Sequence, residues 1–215
     1  WTLPSNMAAC VHPKFSYTVL EHKGAKYVLL GNLASAVFGE GEWEFLGAVL
    51  GKDLAGLAYE PLFDWKGGEA ILQGDQQHVV VTDSFVTDAE GTGIVHLAPY
   101  GADDFRIARE QNLAGRLLVG RDGALCADVA EAPAGTDFRA ANPALMADLK
   151  NRGRLLHREQ HRHSYPHCWR CDTPLMYFPS PAWFLRTTTY KDRMVKENAR
   201  IAWAPPELGQ GRFGE

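Results

Sequence analysis

Several features that would suggest a membrane or secreted protein are missing from this sequence. No apolar run approaches the roughly 20 residues that a membrane helix needs, and the start, Trp1–Cys10, contains no basic leader. Only 4 cysteines occur in 215 residues, and Cys168 and Cys171 are too close together to cross-link much of the chain. These absences predict a cytoplasmic protein without a membrane partner.

Two further absences concern chemistry. No Ser/His/Asp or Cys/His arrangement typical of a nucleophilic enzyme is visible, so covalent catalysis is not predicted. Neither a His-x-Gly-His nor a Lys-Met-Ser-Lys-Ser motif of an ATP site is present, so ATP-dependent chemistry is not predicted for this chain by itself.

The charge is distributed unevenly along the chain. Residues 1–149 carry 10 Lys and Arg against 20 Asp and Glu, whereas residues 150–215 carry 12 against 6. With 46% hydrophobic residues, the chain has the composition of a folded protein. The asymmetry indicates two parts with different partners, and the change in composition near residue 154 predicts a first domain over 1–153 and a smaller module over 154–215.

The first part is predicted to be mainly β with peripheral helices, an α+β domain built as a compact barrel or sandwich. The predicted strands are short, apolar and bounded by turn residues: Phe15–Glu21, Lys26–Leu30, Phe45–Leu50, His78–Asp83 and Gly93–Leu97. The predicted helices are Asp103–Asn112, Ala144–Asn151 with Asn142 as N-cap and Pro143 at its first turn, and Tyr190–Arg200. Residues 122–140 are interpreted as an excursion that carries no chemistry.

The strongest local pattern runs from Gly91 to Asp104. Two glycines around Thr92 permit a tight turn, an apolar strand then carries His96, and two carboxylates, Asp103 and Asp104, stand at a helix start. This arrangement is typical of the mouth of a polar pocket. The residues alone leave an alternative open, in which the acidic residues cap the helix and His96 is a structural histidine.

A resemblance adds to this interpretation. The segments Trp1–Asn6, Leu54–Phe63, Gly91–Asp104 and His163–Cys171 occur in this order and resemble connective peptide 1, the editing insert of bacterial-type isoleucyl-tRNA synthetases. The resemblance implies a β-barrel-like editing domain over 1–153, followed by a returning zinc-knuckle-like segment and the start of the synthetic body over 154–215. The implied activity is hydrolysis of tRNA(Ile) mischarged with valine, or of valyl-adenylate.

The resemblance also implies roles for individual residues. In the family an aspartate holds the α-ammonium of the mischarged amino acid, and a histidine limits the pocket to side chains smaller than isoleucine; these roles fall on Asp104 and His96, with Thr2 near the reacting water. The loop after Pro99 is one residue shorter than in the family, so Asp103 is an alternative to Asp104. The expected substrate-binding set is Trp1, Thr2, Gly91, Thr92, Gly93, His96, Asp103 and Asp104.

The pair Cys168-x-x-Cys171 is half of a tetrahedral zinc site. By resemblance, the other two ligands precede Trp1, so structural zinc is expected to be incomplete here, and two reduced cysteines without metal are the alternative. His157, His161, His163 and His167 leave open a zinc-dependent hydrolase of another class. Editing is expected to need no cofactor, while ATP and magnesium serve only the parent enzyme.

The expected partners are the acceptor end of valine-carrying tRNA(Ile) and the rest of the synthetase. Phosphate contacts are predicted for the basic stretch, although a solvated face explains it equally well: Arg152, Arg154, Arg158, Arg162, Arg170 and Arg186. A non-catalytic tRNA-binding or structural fragment is the alternative function.

Overall fold

The computed structural model describes residues 1–89, 91–159 and 164–211, with only the backbone at Gln210. The chain forms two compact units, Trp1–Pro179 and Ser180–Glu215. These units are defined by how densely residues contact one another, and the functional domain boundary predicted at residue 153 stays a prediction.

Within the described residues the strands are short. They are β1 (Ala8–Val11), β2 (Ser16–His22), β3 (Ala25–Leu30), β4 (Glu44–Leu50), β5 (Glu69–Gln73), β6 (Val79–Thr82), β7 (Ile94–Leu97) and β8 (Ala114–Leu117). The α-helices are α1 (Gly31–Phe38), α2 (Gly51–Leu54), α3 (Ala102–Glu110), α4 (Asn142–Asn151), α5 (Lys191–Asn198) and α6 (Glu207–Gln210). Leu3–Ser5 and Thr187–Tyr190 are 3-10 helices.

The sheet that carries His96 has the strand order β6-β1-β7. Strand β1 is central, parallel to β6 and antiparallel to β7, and Ala9 lies opposite His96. Opposite residues of an antiparallel pair share a face. Cys10 and Val95 therefore face the buried cluster that includes Ile107 of α3, while His96 projects from the other face.

The other strands form two further sheets, β3-β2-β4 and β5-β8. The pairing register shifts between Val19 and Leu20 and again between Ala70 and Leu72. Because the three sheets share no strand, they do not close into a barrel in the part of the chain that the structure describes. The mixed class, with sheets and few helices, is confirmed, and the predicted barrel-like arrangement is not a closed barrel in these residues.

All five predicted strands are present within one or two residues at each end, as β2, β3, β4, β6 and β7, and the three predicted helices correspond to α3, α4 and α5. Strands β1, β5 and β8 and helices α1, α2 and α6 were not predicted. Strand β1 has no alternation of polar and apolar residues, because three of its four residues, Ala8, Cys10 and Val11, are buried.

The start of α4 differs from the expectation. Ala141 occupies the N-cap position and makes no side-chain capping bond, so Asn142 is the first helical residue and not the cap. Its Oδ1 instead accepts a hydrogen bond from the Trp1 nitrogen at 2.8 Å. The Asn142 side chain, predicted from local sequence to cap the helix, therefore makes a long-range hydrogen bond to Trp1 instead.

Residues 122–140 are part of the core of the first unit. Leu125, Val129 and Phe138 are buried and belong to one cluster with Leu118 and Leu145. The composition of this segment, rich in Gly, Ala and Pro, gave no sign of that packing.

Candidate functional site

The short 3-10 helix at Leu3–Ser5 positions two polar side chains on one side. Pro4 presets its first turn, and the amides of Ser5 and Asn6 donate to the carbonyls of Thr2 and Leu3 at 2.9 and 3.1 Å. The indole N–H of Trp65 donates a hydrogen bond to the carbonyl of Pro4 at 2.6 Å and so stabilises this turn. Thr2 and Asn6, at the two ends of the turn, are thereby held on one structure.

Both ring nitrogens of His96 are bonded to this turn. Nε2 lies 3.1 Å from the Thr2 hydroxyl, and Nδ1 lies 2.9 Å from the Asn6 amide nitrogen. Burial lowers the pKa of His96 to about 4, so the ring is neutral at pH 7. A neutral, fixed ring bonded on both sides suits a wall of a pocket better than a proton shuttle, and it also suits a structural histidine.

The structure thus brings His96 and Thr2 together, although 94 residues separate them. Asn6 is a member of this cluster that sequence reasoning did not assign. A signal was present, because Thr2 and Asn6 bracket Pro4 with the spacing of one tight turn, but only the fold shows that the ring lies between them.

Asp104 follows the end of the same strand. Its Oδ2 accepts a hydrogen bond from the amide of Ala98 at 3.1 Å, two residues after His96. Burial raises the pKa of Asp104, while the Ala98 amide and the first turn of α3 favour the ionised form. The carboxylate bonds to this backbone amide and not to Thr2 or to the His96 ring.

Asp103 is placed differently. Its side chain is exposed and lies 3.7 Å from the Arg106 guanidinium, which also pairs with Asp83 and Glu110. A carboxylate that faces solvent beside an arginine is a poor anchor for an ammonium group. The geometry therefore favours Asp104 over Asp103 as the residue that meets a cationic substrate group.

The Gly91–Gly93 turn is fastened at the other end of β7. The amide of Leu30 donates to the Thr92 carbonyl at 2.9 Å, and the Tyr17 hydroxyl donates to the Gly93 carbonyl at 2.8 Å. The Thr92 hydroxyl contacts the backbone of Ile94. None of these hydrogen bonds reaches the cluster of Thr2, Asn6 and His96.

Trp1 packs into the core of the first unit. Its ring meets Tyr100 and Phe138 edge to face at centroid distances of 4.8 and 4.9 Å. The indole therefore supports the turn that carries Thr2, and its role as a substrate contact stays a prediction.

The cysteine segment supplies two ligands of the four that tetrahedral zinc requires. The Cys171 thiol lies 3.2 Å from the Thr173 hydroxyl, and hydrogen bonding from Thr173 lowers the pKa of that thiol. Nδ1 of His167 bonds to the carbonyl of Asp172 at 2.8 Å. Among residues 1–89, 91–159 and 164–211, no group of three or more metal-ligating side chains occurs, while His161 and His163 lie outside the described residues.

Some of the arginines predicted to meet phosphate already have partners. Arg152 pairs with Asp148 and donates to the carbonyl of Leu62, and Arg154 lies 3.1 Å from Glu60. Arg170 stacks over the Trp169 ring at 4.8 Å. Arg162 lies outside the described residues.

In the described part of the chain, no helix is both long and apolar enough to cross a membrane.

Known proteins resemble this chain along its whole length. The isoleucine–tRNA ligase of Thermus thermophilus is 40% identical over 216 residues, that of Thermoplasma volcanium 40% over 215 and that of Clostridium acetobutylicum 38% over 216. Each alignment covers 100% of this chain and 20% of the relative. No protein-family model matches.

The class of protein to which this chain is related is therefore the aminoacyl-tRNA synthetases. Within that class, the relatives are isoleucine–tRNA ligases, and the resemblance predicted from the sequence motifs is confirmed. The chain spans about a fifth of the length of the relatives it matches. One solved structure, "The crystal structure of GlLeuRS-CP1", aligns at 22% identity with a TM-score of 0.41, over 51% of this chain and 40% of that one.

Proposed function

We propose that this chain is the editing part of an isoleucyl-tRNA synthetase and hydrolyses valyl-tRNA(Ile), with valyl-adenylate as a second substrate. The observation that carries the proposal is the hydrogen bond between Thr2 and His96, which joins two of the motifs shared with isoleucyl-tRNA synthetases. This hydrogen bond places two polar side chains beside the edge strand β7. The Asp104 carboxylate accepts a hydrogen bond from the amide of Ala98, which lies two residues after His96.

The proposed reaction is needed because a single binding pocket discriminates poorly between isoleucine and valine. Isoleucine exceeds valine by one methylene, and a binding pocket gains only about 1–3 kcal/mol from that difference. A second site that admits valine and sterically rejects isoleucine supplies the missing discrimination. The rigid His96 ring, held on both nitrogens, is suited to set that size limit.

The chemistry requires placement of an ester and a water molecule. Asp104, ionised, pairs with the α-ammonium of the amino acid and so fixes the carbonyl carbon near Thr2 and His96. Water adds to that carbon, the ester bond to the ribose oxygen breaks, and the oxygen leaves with a proton as the 3′-terminal hydroxyl. Valine is released as its carboxylate, and the proton of that acid passes to solvent.

The same proposal includes the wider assignments. Editing uses no cofactor, Cys168 and Cys171 form half of a structural zinc site, and ATP and magnesium serve only the parent enzyme. The partners are the acceptor end of tRNA(Ile) and the remainder of a cytoplasmic synthetase. Residues 1–153 form the editing domain, and 154–215 contain the returning cysteine segment.

The test compares deacylation of valyl-tRNA(Ile) and isoleucyl-tRNA(Ile) by the wild type and by His96→Ala. The wild type is expected to cleave only the valyl ester, while His96→Ala, with an enlarged pocket, is expected to cleave both. His12→Ala is the matched control, since the His12 ring stacks on Phe15 at 3.9 Å and has no bond to Thr2. Unchanged selectivity in His96→Ala would identify His96 as a structural residue.

The second candidate is a non-catalytic tRNA-binding fragment, which the exposed basic residues favour. It predicts that tRNA binds and that neither ester is cleaved faster than in buffer. Zinc analysis of the same samples, with deacylation measured before and after chelation, tests the alternative of a zinc-dependent hydrolase. Such an enzyme would contain zinc and would lose deacylation when the metal is removed.

A further inference from the structure

Tyr59 lies in the Leu54–Phe63 segment and contacts the cluster from a side that the proposed mechanism does not use. Its hydroxyl donates to Oδ1 of Asn6 at 2.6 Å. The Tyr59 amide donates to the carbonyl of His78 at 2.9 Å, and its ring lies edge-on against the His78 ring. Backbone pairing and packing against His78 thus hold this hydroxyl in place.

The Asn6 amide has a defined orientation. Its nitrogen donates to the carbonyl of Ala8 at 3.0 Å and faces Nδ1 of His96 at 2.9 Å, while its oxygen receives the Tyr59 hydroxyl. A carbonyl oxygen can only accept, so the nitrogen, and not the oxygen, must face Ala8. Both amide hydrogens and the amide oxygen are then used.

This orientation decides which nitrogen of His96 carries the proton. The Asn6 nitrogen can only donate, so Nδ1 must accept, and the proton of the neutral ring lies on Nε2. Nε2 then donates to the Thr2 oxygen. The hydroxyl proton of Thr2 is consequently turned away from the ring and is left to donate elsewhere.

We propose that Tyr59 is a positioning residue, whose hydroxyl holds the Asn6 amide so that His96 keeps its proton on Nε2 and Thr2 presents its own proton to the substrate. The chain of donors runs in one direction, from Tyr59 through Asn6 and His96 to Thr2. Reversal at any one bond would put two donors or two acceptors face to face.

The electrostatics of Tyr59 fit this role. Burial raises the pKa of Tyr59 to about 12, so the phenol remains protonated and can donate at every pH where the protein works. Its target is a neutral amide, so no charge is needed for the relay. The assignment of the Thr2 proton to a substrate rests on the proposed function, while the hydrogen-bond relay does not.

The experiment uses nitrogen-15 NMR of the 215-residue chain with labelled histidine rings and asparagine amides. His96 is assigned from its loss in His96→Gln, and Asn6 from its loss in Asn6→Asp. The wild type is expected to show a protonated Nε2, a hydrogen-bonded Nδ1 and slowly exchanging Asn6 amide protons. In Tyr59→Phe, the Nδ1 signal should move toward that of an unbonded imine nitrogen, and the Asn6 protons should exchange about two- to tenfold faster.

Two further variants sharpen the result. Tyr27→Phe is the matched control: the Tyr27 ring packs on Phe38 at 5.0 Å, away from Asn6, and its loss should leave the His96 signals unchanged. Asn6→Asp replaces the donor facing Nδ1 with an acceptor, and should draw the ring proton to Nδ1. Backbone amide spectra of each variant check that it is folded.

A protonated Nδ1 in the wild type, or His96 and Asn6 signals in Tyr59→Phe identical to those of the wild type, would overturn the proposal. If Tyr59→Phe does not fold, retention of the proton on Nε2 in Asn6→Asp overturns it, and transfer to Nδ1 supports it. Deacylation measured on the same samples separates the two claims: an inactive wild type with the expected spectra contradicts the editing function and leaves the relay standing.

Discussion

The two ends of strand β7 come from one continuous motif and are held in different ways. At its amino end, Gly91–Gly93 is fastened through backbone carbonyls, which accept from the Leu30 amide and the Tyr17 hydroxyl. At its carboxyl end, the His96 side chain meets Thr2 and Asn6, and the Ala98 amide meets Asp104. The hydrogen bonds at the glycine end are to the backbone of the fold, and substrate binding by Gly91–Gly93 stays a prediction, while the other end contains the His96 and Asp104 contacts.

The difference shows that neighbouring residues of one motif need not share a role. Gly91 and Gly93 both have positive φ, and only at Gly93 would a Cβ meet a neighbouring side chain, whereas His96 and Asp104 are polar groups whose burial is compensated by specific partners. Substitutions at the first end should lower stability, and substitutions at the second end should change activity or the pH dependence of stability.

The largest effect is expected for Gly93→Ala. A Cβ at Gly93 would lie 2.3 Å from the Leu30 side chain, and the backbone has φ +71°. Strain of the left-handed backbone and overpacking together should lower the free energy of unfolding by about 4 kcal/mol. Gly91→Ala is the matched control, since Gly91 has φ +68° with nothing within 4 Å. Urea denaturation measures the free energy of unfolding of both variants. Equal losses of stability would show that the Leu30 side chain moves away from the new Cβ without a measurable loss of packing energy.

The second prediction concerns the pH dependence of stability at the polar end. Burial lowers the folded-state pKa of His96 to about 4, from 6.5. The folded state thus binds fewer protons, so its stability is fully present above pH 6.5 and is lost as pH falls toward 4. The loss should approach about 3 kcal/mol, and His96→Gln should remove it.

Urea midpoints at pH 7.5 and pH 4.5 test this prediction, with His12→Gln as the control at a half-buried histidine that has no bond to Thr2 or Asn6. The raised pKa of Asp104 acts in the opposite direction, because protonation of that carboxyl on acidification favours the folded state. The comparison of His96→Gln with the wild type isolates the histidine. Equal pH dependence in the two proteins would contradict the assignment of a neutral ring.

A smaller effect is expected for the carboxylates. Asp104→Asn should reduce kcat/KM for valyl-tRNA(Ile) by about 30-fold, equivalent to about 2 kcal/mol, because the α-ammonium loses a charged partner. Asp103→Asn, which changes an exposed group beside Arg106, should alter it less than about threefold. If Asp103→Asn proves the more damaging change, the shortened loop presents Asp103 to the substrate instead.

The smallest effect is expected for Tyr17→Phe. The Tyr17 hydroxyl donates to the Gly93 carbonyl and accepts from the His12 amide at 2.9 Å. Its loss leaves two backbone groups without that partner and should lower the free energy of unfolding by about 1–2 kcal/mol, with deacylation unchanged. Thermal unfolding and deacylation on one preparation check it, and a fall in activity at full stability would connect the glycine turn with the site.

Much of the fold could be predicted where the local pattern was strong. Strands such as β2 and β7 alternate or are bounded by glycine, and α3 begins with acidic residues, so each was recognised from local sequence. Strand β1 and the core made by residues 122–140 were missed, because their burial depends on partners far along the chain. Asn142 was misassigned for the same reason, since its side chain bonds to Trp1.

The sequence by itself determined the relationship to isoleucine–tRNA ligases, the candidate residues His96 and Asp104, and the alternative between Asp103 and Asp104. Only the tertiary structure decided that the Thr2–Asn6 turn meets His96, that Asp104 bonds to the Ala98 amide while Asp103 faces solvent, and that the Tyr59 hydroxyl bonds to Asn6. The physical reason is that residue type and spacing specify which groups can donate or accept. Which donor meets which acceptor depends on strand pairing across about ninety residues, and local sequence does not encode that pairing.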